Sequence, residues 1–395
     1  MPMKMKYVVV IGDGMADYPI EGLSKKTPLQ VARKPNLDTI AKRGKNGLLA
    51  TIPEGMKAGS DIANLSIMGY DPKECYTGRG PLEAASIGIE MGPSELAFRC
   101  NLITEREGFI ADYCADHIST KEAGILIAEM EKAFDIGTFY TGVGYRHLFI
   151  LKQKRDLICT PPHDVAGEEI KKHLIKPKGD KVAEMLNRMT LDSKGILESH
   201  PVNKKRAKEG KNPANMIWLW GQGERPKIIP MKEKYGINGA VISAVDLIKG
   251  IGLYAGMGVI EVPGATGYYD TDYKAKAKYA LSALKNFDYV YVHVESIDEA
   301  SHAGDLEMKI KTIEEFDEKV LGTLLDSGEE FTIAVLPDHM TPVKTKTHAK
   351  GPVPFAVYSP NGGRGDNIKF DESSAKNGSA GLLKGEEFMQ FLLKS

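Results

Sequence analysis

The sequence predicts an α/β protein: a doubly wound, mainly parallel sheet as the core, with a smaller α+β domain inserted into it. Three observations carry this. Three apolar runs, YVVVIG from Tyr7, YVYVHV from Tyr289 and TIAVL from Thr332, are unbroken rather than alternating, the pattern of strands buried on both faces. The stretch between the second and third, DLEMKIKTIEEFDEKVLGTLLD, has apolar residues at helical spacing with charges between them. It is an amphipathic crossover helix that closes a βαβ unit. From about residue 80 to about 210 the character changes to shorter strand-like pieces broken by turns and charge.

Along the chain, YVVVIGDG runs from β-formers into a Gly-rich turn, and AGSDIANLS reads as a helix start with Ser60 as its N-cap. GFIADY and HLFILK are strands of the insert, and HPVNKKRAKEGKNPAN is an exposed basic loop near a boundary. NMIWLWGQG is a buried strand with which the core resumes, and GEEFMQFLLKS is a closing outer helix. At 395 residues more than one domain is expected. The division read here is a discontinuous core, 1–80 plus 210–395, around an insert at 81–209.

The formal net charge of −1 offers no broad basic surface to nucleic acid or an anionic membrane. The four cysteines, Cys75, Cys100, Cys114 and Cys159, form no C-x-x-C and no disulfide framework, so a reducing, cytoplasmic compartment is expected. The apolar run after the basic start MPMKMK is too short for a signal segment or a membrane span.

Asp13, Asp298 and Asp338 each follow one of the three apolar strands. If those strands are parallel, the acids converge at their carboxyl ends, where open α/β sheets bind ligands. His302 lies four residues after Asp298, on the same helical face, His339 adjoins Asp338, and His348 follows nine residues later. A lone acid at a strand end is commonly a turn residue; three acids and three imidazoles on one edge are mixed O/N ligands suited to Mn²⁺, Zn²⁺ or Mg²⁺. Six ligands suit two ions better than one that must keep positions open. Ser60 is the candidate nucleophile: a helix N-terminus favours an attached phosphoryl group, and a metal ion would stabilise its alkoxide. The GDG at 12–14 is no dinucleotide fingerprint, because residue 17 is Asp.

The ordered set Asp13, Ser60, Asp298-x-x-x-His302, Asp338-His339 and His348 resembles the alkaline phosphatase superfamily. More narrowly, IGDGMAD, AGSDIANLSIMGYDP, GRGPLEAASIG, INGAVISAVDLIKGIG and ESIDEASHAGD resemble the archaeal-type cofactor-independent phosphoglycerate mutases, over essentially the whole chain. The resemblance implies an alkaline-phosphatase-like core with one ion on Asp298, His302 and His348 and a second on Asp13, Ser60, Asp338 and His339. Mn²⁺ is the first choice, with Mg²⁺, Co²⁺ or Zn²⁺ as alternatives, and no bisphosphoglycerate cofactor is needed. It implies that Ser60 becomes phosphorylated while 3-phosphoglycerate and 2-phosphoglycerate interconvert, and that Lys249 lies near the phosphate. The insert is shorter than in the bacterial enzymes and lacks their substrate motifs, so its contacts do not transfer. A mutase must exclude water from its phosphoserine, which makes the insert a substrate-covering domain. Arg79, Arg99 and Arg146 are its candidates for binding carboxylate and phosphate, and His163 for proton transfer. A phosphatase or homoserine-kinase-like enzyme on the same core, and a non-catalytic metal-binding regulator, are the alternatives. The expected partner is a small phosphoglycerate, with no nucleic acid and no membrane, and the oligomeric state is left open.

Overall fold

The structure is a computed structural model that describes residues 5–395; the opening MPMK, part of the basic start, lies outside them. The chain divides into two compact units, one formed by residues up to Tyr76 together with Lys227–Ser395, the other by Thr77–Pro226.

Among the described residues of the first unit, eight strands make one sheet. Their order is Gly381–Lys384, Lys45–Ala50, Val353–Tyr358, Thr332–Leu336, Tyr7–Gly12, Tyr289–Val294, Gly239–Ile242 and Gly258–Val259. Tyr7–Gly12 sits at the centre and runs parallel to both apolar strands expected beside it, with Val9 opposite Tyr291 and Ala334. Gly239–Ile242 continues the parallel arrangement, whereas Val353–Tyr358 is antiparallel to both its neighbours. Every residue of the three apolar runs is buried, because helices cover both faces of the sheet. On one face Val8, Val10, Val290, Val292, Ile333 and Val335 pack against the helices Pro35–Arg43, Tyr273–Ala283 and Leu306–Glu315. The last of these is the predicted crossover helix, and it continues through a wider π-helical turn, Phe316–Leu321, to Leu325. On the other face lie the helix Ser60–Ile67, where the Tyr291 hydroxyl meets Asn64, and the closing helix Glu387–Leu393, whose Phe388 and Phe391 pack edge-on against Phe355.

The second unit is built on an antiparallel sheet. Its longest strand, Leu96–Arg106, pairs with Phe109–Asp112, Arg146–Leu151 and Met216–Gly223, and Thr138–Val143 pairs in turn with Arg146–Leu151. The helices Thr120–Ala133 and Lys181–Glu198 cover one face through Leu126, Met130, Leu186 and Met189.

Two expectations are corrected here. The strand in NMIWLWGQG does not resume the core; it runs beside Leu96–Arg106, so the divisions fall at 76/77 and 226/227 rather than 80/81 and 209/210. Apolarity marks a strand as buried but does not say in which sheet. The basic stretch at 200–215 is also not simply a loop, since Pro201–Lys208 is helical with Pro201 in the first turn. Its Arg206 is buried, donating to the Ala115 and Asn212 carbonyls and pairing with Glu122 at 3.1 Å.

Candidate active site

The parallel register of the three central strands brings their carboxyl ends to one edge of the first unit. Asp13 follows Gly12 directly, and its N–H donates to the Val294 carbonyl of the neighbouring strand. Asp298 stands in the first turn of the helix Ser296–Ala303, one turn before His302. Asp338 and His339 leave the end of Thr332–Leu336, and His348 reaches the same edge from the loop that follows. His302 Nε2 and His348 Nε2 lie 3.0 and 3.4 Å from Asp298 Oδ2 and 3.0 Å from each other. His339 Nε2 lies 3.1 Å from Ser60 Oγ, 3.5 Å from Asp13 Oδ1 and 3.6 Å from Asp338 Oδ2. All seven residues that the resemblance assigns to metal ligation are thus neighbours.

Within this cluster the nitrogen and oxygen atoms fall into two tight groups, Asp298–His339–His348 and Asp13–His293–Asp338. The grouping differs from the implied one, because His339 faces both and His293 joins the second. Ser60 departs from its expected role as an N-cap. Gly59 holds that position, and Ser60 is the first helical residue, its hydroxyl turned to His339.

The donor set fits divalent cations. Asp13, Asp338, His339 and His293 are buried, and Asp13 Oδ1, Asp298 Oδ1 and His293 Nε2 have no hydrogen-bond partner. Leaving a buried polar atom unpaired costs about 1–3 kcal/mol, more where the group is charged, and a cation between these atoms removes the cost. Burial, followed by the charge of Asp338, pushes the Asp13 carboxyl well above the usual carboxylate range, whereas the imidazoles beside Asp298 and Asp338 outweigh burial and hold those two carboxyls low. Two of the rings are held by their other nitrogen. His302 Nδ1 bonds the Lys346 carbonyl at 2.9 Å and His339 Nδ1 meets Thr341 Oγ1 at 3.1 Å, so both Nε2 atoms face the acids.

Around this lies a buried frame. Asn64 Nδ2 donates to Asp338 Oδ2 and to the Ser60 carbonyl, and its Oδ1 accepts from Tyr291. The buried Lys309 amine donates to Asp17 Oδ2 and to the Ala16 and Thr341 carbonyls, tying the segment after Asp13 to the segment after His339. Lys249, which the resemblance places near the phosphate, pairs with both oxygens of Glu261, at 2.8 and 3.0 Å.

Within the second unit, Arg79, Arg99, Arg146 and His163 gather around two aromatic rings. The Arg99 guanidinium stands 4.4 Å from the centre of Trp220, with Arg79 at 6.0 Å and the His163 ring edge-on at 5.1 Å. Arg146 lies 5.8 Å from the centre of Tyr145, which meets Tyr113 edge-on. Burial depresses the Arg99 pKa; Glu83, at 3.2 Å, works against this, and the charges of Arg79 and Arg146 add to it. The unit therefore holds a focus of positive charge on an aromatic floor.

The model of the 2,3-bisphosphoglycerate-independent phosphoglycerate mutase family matches residues 41–203. A protein of Methanothermobacter thermautotrophicus, named 2,3-bisphosphoglycerate-independent phosphoglycerate mutase 2, is 53% identical over 395 residues, covering 98% of this chain and 97% of its own length. The chain belongs to this family. A probable phosphoglycerate mutase of the same type from Geobacter sulfurreducens is 48% identical over 98% of the chain and 100% of its own length. Among solved structures, a Pyrococcus horikoshii protein superposes with a TM-score of 0.85 at 33% identity, over 99% of this chain and 97% of its own. The cofactor-independent phosphoglycerate mutase of Thermoplasma acidophilum does so with a TM-score of 0.65 at 29% identity, over 98% of this chain and 99% of its own.

Sequence reasoning missed several residues of these two clusters. His293 sits in the apolar run YVYVHV, where its only signal is being the one imidazole in a fully buried strand. Trp220, Tyr113 and Tyr145 carry no signal beyond their aromaticity. Gly14 reads in sequence only as part of a turn, yet it has φ +61° and a Cβ there would clash with Asp298 Oδ1 and stand 2.6 Å from Thr341 Oγ1. Gly14→Ala is therefore expected to cost at least about 1–2 kcal/mol in left-handed backbone strain alone and to displace Asp298. Denaturant melts and a metal count on the variant check this; wild-type values in both would contradict it.

Proposed function

We propose that this chain interconverts 3-phosphoglycerate and 2-phosphoglycerate through a phosphoserine at Ser60, without 2,3-bisphosphoglycerate, as an isomerase of the cytoplasm. The observation that carries the reading is the placement of Ser60 Oγ 3.1 Å from His339 Nε2, beside buried acids whose oxygens lack partners, in a chain of this family. Asp298, His302 and His348 would hold one divalent ion, and Asp13, Ser60, Asp338 and His339 the second, with Mn²⁺ as the favoured metal. Bound there, such ions supply positive charge to the phosphoryl oxygens and lower the pKa of an oxygen ligand.

The chain's own residues supply the rest. Ser60 Oγ attacks phosphorus as the bond to the substrate hydroxyl breaks, and the phosphoryl group then sits at the amino end of the helix Ser60–Ile67, whose dipole favours the anion. Asn64, bonded to both Asp338 and the Ser60 carbonyl, keeps the nucleophile and its acid in register. The glycerate turns while bound, and its other hydroxyl takes the phosphoryl group back from Ser60. In this reading Arg79, Arg99 and Arg146 bind the carboxylate and phosphate of the substrate, His163 is the candidate for proton transfer, and the second unit keeps water from the phosphoserine. An indole beneath a guanidinium fixes its plane, which suits bidentate recognition of an anion.

The test is turnover of 3-phosphoglycerate with Mn²⁺ and no bisphosphoglycerate, reading 2-phosphoglycerate and inorganic phosphate together. Formation of 2-phosphoglycerate with little phosphate is the expected result. Phosphate release alone would make the protein a phosphatase, and no turnover would point to another substrate.

A further inference from the structure

We propose that His293 is itself a ligand of the ion between Asp13 and Asp338, and that Glu295, backed by Lys276, sets it for that role; this rests on the two-ion reading above. His293 is fully buried on the strand Tyr289–Val294, with Nδ1 3.3 Å from Glu295 Oε1. Its Nε2 points between two acids, 3.6 Å from Asp13 Oδ2 and 3.7 Å from Asp338 Oδ2, and makes no hydrogen bond. Those separations are too long for an imidazolium N–H donating to either carboxylate. The ligand atoms of Asp13, His293 and Asp338 all lie within 4.8 Å of one another, close enough to share one ion.

The surroundings hold the ring in the orientation a metal needs. A carboxylate accepts and does not donate, so Glu295 calls for a proton on Nδ1, which makes Nε2 the nitrogen turned to the acids and the one an ion would take. Glu295 is itself held on all sides: Oε1 accepts from Ser243 Oγ at 2.8 Å and the Ala244 N–H at 3.0 Å, and Oε2 accepts from Lys276 Nζ at 2.6 Å. Lys276 donates as well to the His293 carbonyl at 2.9 Å, so ring and backbone are anchored by the same pair. Both members of this ion pair are buried, a costly arrangement that packing alone does not call for. A requirement to orient a ligand explains it.

The full chain, stripped with EDTA and reloaded with Mn²⁺, provides the test. Bound manganese per chain is counted by mass spectrometry after gel filtration, and affinity is taken from calorimetry, for the wild type, His293→Leu and Glu295→Gln. The wild type is expected to bind two ions, His293→Leu one, and Glu295→Gln two, with one of them weakened by about 10- to 100-fold. Two ions at wild-type affinity in both variants would overturn the proposal and leave His293 a structural residue. A wild type that binds no manganese would instead bring down the two-ion reading on which it stands. Should His293→Leu fail to fold, pulsed EPR of the manganese-loaded wild type decides by counting coordinated imidazoles. Coordination by His293 together with His302, His339 and His348 gives four; three overturns the proposal.

Discussion

Ser60→Ala is expected to abolish turnover of 3-phosphoglycerate, by on the order of 10⁴-fold or more, while the protein folds as before. Removing the nucleophile from an enzyme that works through a covalent intermediate leaves only binding and electrostatics to act on the substrate. Little stability is at stake, because the Ser60 hydroxyl caps no backbone N–H and alanine is well tolerated in a first helical turn. The hydroxyl faces His339 Nε2, so its loss touches the site rather than the core. Steady-state assays and thermal melts on purified variant and wild type check this, and acid-quenched wild-type turnover should show one phosphoryl group on the Ser60 peptide. Activity within tenfold of wild type would remove Ser60 as the nucleophile.

The parts of this site that are legible in the sequence share one physical origin. Strands buried on both faces leave an unbroken apolar signature, and the first polar residues after them, Asp13, Asp338 and His339, must emerge at the sheet edge. The i, i+4 spacing of Asp298 and His302 is likewise local, and the structure places both on one helix. What stays hidden depends on pairing between distant segments. Met216–Gly223 reads as a core strand until its partner Leu96–Arg106 is known. His293 looks like one more buried strand residue until Asp13 and Asp338, from two other strands, are found against it. Asn64 is an ordinary helical residue in sequence, and it gains a role only because Asp338 and Tyr291 arrive from elsewhere. Arg206 misleads for the opposite reason: a basic stretch reads as solvated, yet the carbonyls and the carboxylate it meets inside the second unit let it be buried.

Removal of divalent metal should eliminate turnover and also weaken the fold, and the second effect is the more telling. A serine variant loses chemistry alone, whereas a stripped site loses the charge that balances three carboxylates. In the chain without ions, Asp13 is driven toward its protonated form by burial and by Asp338, and partnerless oxygens remain on Asp13 and Asp298. An ion that binds only the folded chain, present at 100 times its dissociation constant, stabilises it by about 2.7 kcal/mol, and two such ions by about twice that. EDTA-treated protein, confirmed metal-free by mass spectrometry, should therefore melt several degrees lower than the same protein with Mn²⁺ restored, with activity returning in step. The pH dependence has a definite sign. Ligating carboxylates and imidazoles bind metal only when deprotonated, so protons compete with the ion and affinity falls as pH falls. The rise in melting temperature on adding a fixed concentration of Mn²⁺ should accordingly be larger at pH 8 than at pH 6. Metal-free protein with an unchanged melt and full turnover would take the ions out of the mechanism, and the buried acids at the sheet edge would then need another cation to explain them.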